Sequence, residues 1–224
     1  MSNIPSAEEI IADLMRQNDG VHPNSPIPLE QQLERKRAEY RELIELVPFK
    51  QKITLAIETI QREMTSLLPP DEFESVLSEI AEAAELLQTN PETKGSNLGL
   101  SRSSLDKLFA FARHVQKAGK QTESIALFTL LTTLDASWYR HWFYLGVSLQ
   151  EHGQFQEAIT AYEMAMKIAE EDPFAHLYSA ECAVEVKDMH QASLHFIRGK
   201  EIARNLPNNP DLDRLLTELE SKIK

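Results

Sequence analysis

A chain of 224 residues with 35 acidic and 23 basic side chains, a formal net charge of −12, is a poor partner for nucleic acid or an anionic membrane surface. Its 42% hydrophobic residues and only 7 glycines suit a helical globular protein of one or two domains, and no apolar run approaches the length of a bilayer span. The one cysteine, Cys182, excludes an intrachain disulfide and suits a reducing cytosol, where a small structural residue is its expected role.

Met1–Arg16 is an acidic amphipathic stretch without the basic start of a signal peptide. Ser6-Ala-Glu-Glu9 forms a capping box before Ile10, Ile11 and Leu14 and predicts a helix over 7–17. The segment 19–28, with Gly20, Pro23, Pro26 and Pro28, reads as an extended linker. From Leu29 the stripe Leu33, Arg37, Tyr40, Ile44 and Val47 predicts a helix that Pro48 should end or kink. A second helix carries Ile53, Ile57, Ile60, Met64 and Leu67 and should stop at Pro69-Pro70. Asp71 should cap a third, with Phe73, Leu77, Ile80, Ala84 and Leu87 on one face. An antiparallel bundle or coiled-coil hairpin is the expected packing of these three. Asn90-Pro91, Gly95, Ser96 and Gly99 break the pattern. The expected organisation is therefore a helix and linker over 1–28, a helical region over 29–90, a linker over 91–104 and an array over 105–224, with Ser104 as the cap of its first helix.

That array rests on a 34-residue spacing, which divides it into units 105–138, 139–172 and 173–206. Ala112, Gly146 and Ala180 fall in register, as do Ser124, Ala158 and Ala192, then Phe128, Tyr162 and Phe196. In the middle unit Trp142, Leu145, Gly146 and Leu149 make one helical stripe, Gly153 punctuates a turn, and Ala158, Tyr162 and Ala165 make a second stripe. Small residues let two helices approach, and large ones fill the space beside them. This period is that of the tetratricopeptide helix–turn–helix, so the predicted fold is all-α: a helical N-terminal region, three helix pairs and a capping helix over 210–223. Asn209 followed by Pro210 reads as the start of that cap, and Leu212, Leu215, Leu216 and Leu219 as its buried side. In the third unit Lys187 replaces the turn glycine and His176 the tryptophan.

Chemistry finds no support. The sequence has no glycine-rich phosphate loop, nucleophile elbow or Cys-x-x-Cys pair, and its 7 histidines do not fall at metal-ligand spacings. No enzyme, cofactor or metal is expected. Binding is the better reading, because stacked pairs line a concave side with their first helices. There the stripe Phe109, Arg113 and Gln116 has equivalents Phe143, Val147 and Gln150, then Leu177, Glu181 and Val184. Phe174 occupies another inner position. The apolar row Phe109, Phe143 and Leu177 is expected to take apolar side chains of an extended segment, with Arg113, Gln116 and Gln150 bonding its backbone.

Residues 105–203 also resemble a known family. Leu105-Asp-Lys-Leu-Phe-Ala-Phe-Ala112, Lys117-Ala-Gly-Lys120, Leu134-Asp135, Trp142-Phe-Tyr-Leu-Gly146, Gly153-Gln154, Ala158-Ile159 and His176 through Ala180-Glu181-Cys182 are similar to the class II chaperones of bacterial type III secretion systems. The resemblance implies a cytoplasmic bacterial chaperone that holds hydrophobic translocator subunits before export. It implies a groove gripping a short extended proline-containing segment near the client's N-terminus, and a homodimer formed through N-terminal helices. The chain departs from the family in the long stretch before residue 105, which suggests an atypical or chlamydia-like member. It departs too in Arg113 and Gln116, where relatives tend to carry aromatics. A general tetratricopeptide adaptor or an oligomeric scaffold is the alternative.

Overall fold

Every regular element of the computed structural model is a helix among the residues it describes, which are 29–89, 98–207 and 209–223. The helix expected over 7–17 and the linker over 19–28 lie outside them. The chain divides into two compact units, Met1–Gln51 and Lys52–Lys224. Helix α1 spans Leu29–Glu63, and its first part is what is described of the first unit. Pro48 lies inside α1 and does not end it, so the two helices expected on either side are one. A proline removes one backbone hydrogen bond, and strong helix formers on both flanks carry the helix past that loss.

The second unit begins with the end of α1, a 3₁₀ turn at Met64–Ser66, and α2 over Pro70–Thr89. Pro70, not Asp71, opens α2: the Phe73 amide donates to the Pro69 carbonyl at 3.0 Å, and Asp71 and Glu72 fill the first turn, where the helix end favours negative charge. Ala56 and Ile60 of α1, Met64 of the 3₁₀ turn, and Val76, Ile80 and Ala83 of α2 are buried in one core cluster with Leu105, Leu108 and Phe111 of the array. These residues therefore cover the first helix pair.

Six helices make three pairs: α3 (Arg102–Lys117) with α4 (Gln121–Leu134), α5 (Tyr139–Glu151) with α6 (Phe155–Ile168), and α7 (Pro173–Glu185) with α8 (Met189–Ala203). The cap of α3 is Ser101, not Ser104. Its hydroxyl accepts from the Ser104 amide at 3.1 Å, while its own amide and hydroxyl donate to the Glu79 carboxylate at 2.7 and 3.0 Å. The Glu79 partnership, available only through folding, selects among three nearby serines.

The turn inside each pair repeats atom by atom. Gly119, Gly153 and Lys187 stand 34 residues apart and hold φ of +74°, +77° and +64°. The amides after them close back on Val115, Leu149 and Ala183 at 3.3, 2.9 and 2.9 Å, while their own amides bond Gln116, Gln150 and Val184. This double closure is the Schellman ending of a helix, which needs the left-handed conformation. Between the helices, a Cβ at Gly146 would stand 2.6 Å from the Tyr162 ring, so Gly146 is what lets Tyr162 lie flat across α5 with no exposure. Burying a ring of that size stabilises by roughly 2–3 kcal/mol.

Helix α9 (Pro210–Ile223) closes the array. Asn209 Oδ1 accepts from the Asp211 and Leu212 amides at 3.1 and 3.3 Å, and Leu212 and Leu219 bury against Leu177, Ala180 and Phe196, with Leu215 and Leu216 partly covered.

Candidate peptide-binding groove

Solenoid curvature makes the α3, α5 and α7 face of such an array its concave side. Along it runs an unbroken series of ring contacts. Trp138 lies 5.2 Å from Phe109, Phe109 5.4 Å from Tyr144, Tyr144 5.3 Å from Phe143, Phe143 5.8 Å from Tyr178, and Tyr178 6.3 Å from Phe174. All six rings are partly exposed. Buried Phe128 and Tyr162 support them from below at 5.9 Å from Tyr144 and 6.0 Å from Tyr178. Such a row offers rigid apolar area with little side-chain entropy to lose on binding.

Polar groups fix the rings. The Arg113 guanidinium sits 3.9 Å over Tyr144 and donates to Gln116, whose amide reaches Glu151 at 3.3 Å. Tyr162 donates to Gln150 Oε1 at 2.8 Å, and Gln150 donates to Glu181 Oε2 at 2.8 Å. Lys222 of α9 pairs with the other Glu181 oxygen at 3.2 Å. Between α5 and α7 the groove deepens into a pocket of about 520 Å3 lined by Val147, Gln150, Glu151, Phe155, Tyr162, Tyr178, Glu181 and Glu185. Burial first, then the Glu181 carboxylate, holds the Tyr178 hydroxyl above its ordinary range.

Of the residues named from sequence, Phe109, Arg113, Phe143, Val147, Gln150, Phe174, Glu181 and Val184 are partly exposed on the three inner helices. Gln116 is 7% exposed and bonded on both sides within the protein, so it is not free to meet a backbone. Leu177 is fully buried, a correction to its expected place in the apolar row. A Cβ on Gly199 of α8 would lie 2.8 Å from Leu177, so the glycine opens a space that Leu177 fills, and Tyr178 takes the groove position. Tyr144 and Tyr178, inner-helix residues outside that stripe, supply the ring contacts that link Phe109, Phe143 and Phe174. Cys182 is buried, and that burial pushes its thiol up to about 12, which suits a packing residue.

The helix ends of residues 52–89 meet α3 on its other side. Met64, Leu67 and Leu68 face Ala110, Phe111 and His114, with Lys107–Glu72 and Lys120–Glu63 ion pairs at 2.9 and 2.7 Å. The aromatic face of the array is left open by these contacts.

Three helix pairs, a capping helix and an aromatic face on the inner helices define a tetratricopeptide array. No protein-family model and no curated protein matches the chain. Solved structures do. The Yersinia enterocolitica type III secretion chaperone SycD, in complex with a peptide of the translocator YopD, is 24% identical at a TM-score of 0.51 over 56% of this chain and 93% of that one. PcrH, solved with the chaperone-binding region of PopD, is 24% identical at 0.51 over 56% and 92%. A chain of the CopN–Scc3 complex is 20% identical at 0.53 over 77% and 99%. That last share exceeds what residues 102–224 make up, so the likeness extends into the helices before the array. The fold is that of these chaperones, all-α and tetratricopeptide-like.

Proposed function

We propose that this chain is a cytoplasmic bacterial chaperone of a type III secretion system that binds an extended segment of a hydrophobic translocator and keeps that client soluble before export. The observation that carries the reading is the unbroken aromatic floor from Trp138 to Phe174 on the inner helices. It lies on a fold shared with chaperones solved with translocator segments. An extended segment presents alternate side chains to such a floor, and its apolar residues exchange water for ring contact. In this reading Phe109, Phe143, Tyr144, Val147, Phe174 and Tyr178 take those side chains, and Arg113, Gln150, Glu181 and Val184 edge the site. An adaptor for acidic C-terminal tails is the weaker reading, because Glu151, Glu181 and Glu185 share one pocket of the groove.

Co-expression of the full chain with the translocators of its own genome tests this. The parent should keep a translocator soluble and co-purify with it. Val147→Glu should lose that capture while changing unfolding free energy by less than about 1 kcal/mol, since Val147 is a partly exposed residue at the pocket wall. Capture by Val147→Glu equal to the parent's would sink the groove assignment.

A further inference from the structure

Two inner rows of the array change sign along its length. Residues 34 apart on α3, α5 and α7 read Arg113, Val147, Glu181 in one row and Lys117, Glu151, Glu185 in the next. The α3 end is basic and the α7 end acidic, with the aromatic floor between. At the acidic end Glu151, Glu181 and Glu185 line one pocket of about 520 Å3 whose other walls are Val147, Phe155, Tyr162 and Tyr178. Lys222 answers Glu181 at 3.2 Å, and among the described residues Glu151 meets the neutral Gln116 amide at 3.3 Å, so negative charge is left over beside aromatic walls. No three acidic, His or Cys side chains stand close enough to hold a metal ion among the described residues.

Covering this pocket with a bound chain removes water from its carboxylates, which costs free energy unless the incoming segment supplies a cation. The same argument at the other end favours a carboxylate near Arg113 and Lys117. We infer that the groove is bipolar and selects an extended client segment of matching polarity: apolar side chains in the middle, an acidic residue over α3 and a basic residue in the pocket between α5 and α7. The inference rests on the proposed function and names the chemistry its client must carry. It also sets the direction in which the segment lies, because the reversed segment would put like charges together at both ends.

Short synthetic peptides sharing one Leu- and Phe-containing core test it against the full chain by fluorescence anisotropy. One carries Asp before the core and Lys after it, one carries the reverse, and one carries Asn and Gln. One of the two charged peptides should bind on the order of tenfold tighter than both its reverse and the neutral peptide, with the advantage shrinking as salt rises. The variant Glu151→Lys with Glu185→Lys should bring that advantage below about twofold and regain affinity for a peptide carrying two Asp residues, which also establishes that the variant is folded. Equal binding of all three peptides at low salt would overturn the bipolar groove and leave the aromatic groove standing. Binding of none would overturn both readings.

Discussion

The second and third helix pairs have the same backbone and reach it with different side chains. In the second, Gly153 supplies the left-handed turn, Gly146 on the inner helix admits Tyr162, and His141 Nδ1 lies 2.9 Å from the Asp135 carbonyl. In the third, Lys187 takes the left-handed turn at φ +64°, Ala180 stands where Gly146 does, and the open glycine has moved to Gly199 on the outer helix, under Leu177. His176 faces another histidine, His195, at 3.5 Å. The third pair divides its buried residues: Ala175, Cys182, Ala183 and Ala192 join the main cluster with the first two pairs, and Leu177, Ala180 and Phe196 form a second cluster with α9. A repeat backbone thus survives the loss of a column when the missing volume is returned from the facing helix. The third pair holds the same turn at a higher conformational cost.

The largest effect should come from the packing half of that comparison. Gly146→Leu drives a side chain into the Tyr162 ring, which is fully buried and hydrogen-bonded to Gln150, and should cost about 3 kcal/mol or unfold the array. Gly199→Leu meets Cδ2 and Cγ of Leu177 at 2.8 and 2.9 Å and the His176 Cβ at 3.3 Å, and should cost less because an aliphatic branch can change rotamer where the Tyr162 ring cannot. Urea unfolding followed by circular dichroism measures both. Equal losses would mean that the two glycines do the same job and that the asymmetry drawn above is wrong.

Acid should come next. Burial holds His141, His176 and His195 below the usual histidine value of 6.5. For His176, the charge of His195 and that of Arg198 push the same way, against Asp172; for His195, Glu163 opposes; for His141, Asp135 opposes and Arg102 adds. A depressed histidine binds its proton more readily when unfolded, so stability is full above pH 6.5 and falls as the pH drops below it toward the folded-state values. The melting temperature should therefore decline below pH 6.5, and a His176→Gln, His195→Gln variant should decline less steeply. Parallel pH profiles for parent and variant would show that the pair contributes nothing to acid sensitivity.

The array itself was legible because small and large residues at fixed spacing encode the distance between helices. Ala112, Gly146 and Ala180 are all buried where two helices approach, and so are Ser124, Ala158 and Ala192. The termini of the preceding helices were less legible because local rules compete there. Pro48 argues for a stop, and its flanks argue for continuation. Ser101 wins the cap over Ser104 through Glu79, which lies 22 residues away. On the inner helices Phe109 and Phe143 are partly exposed, whereas Leu177 is buried and does not share their row. The sequence signal for its burial is a column 34 residues apart: Leu131, Ala165 and Gly199 shrink along the array, and a shrinking column predicts that the helix opposite turns a larger side chain inward.

The smallest effect isolates the turn. Lys187 at φ +64° holds a conformation that costs an L-residue about 1 kcal/mol, whereas glycine adopts it freely. Lys187 is exposed and its turn carries the same closing bonds as the other two, the Asp188 amide to Ala183 at 2.9 Å among them. Lys187→Gly should therefore stabilise the protein, by about 0.5 kcal/mol once the greater freedom of glycine in the unfolded chain is subtracted. The reciprocal change, Gly153→Lys, should destabilise by about 1 kcal/mol, because a Cβ at Gly153 meets no atom within 4 Å and only the backbone conformation opposes it. Opposite signs for the two substitutions in urea titrations would place the difference between the pairs in backbone strain. A loss from both would mean that the Lys187 side chain contributes more than its conformation costs, and the third pair would then be the better adapted of the two at this turn.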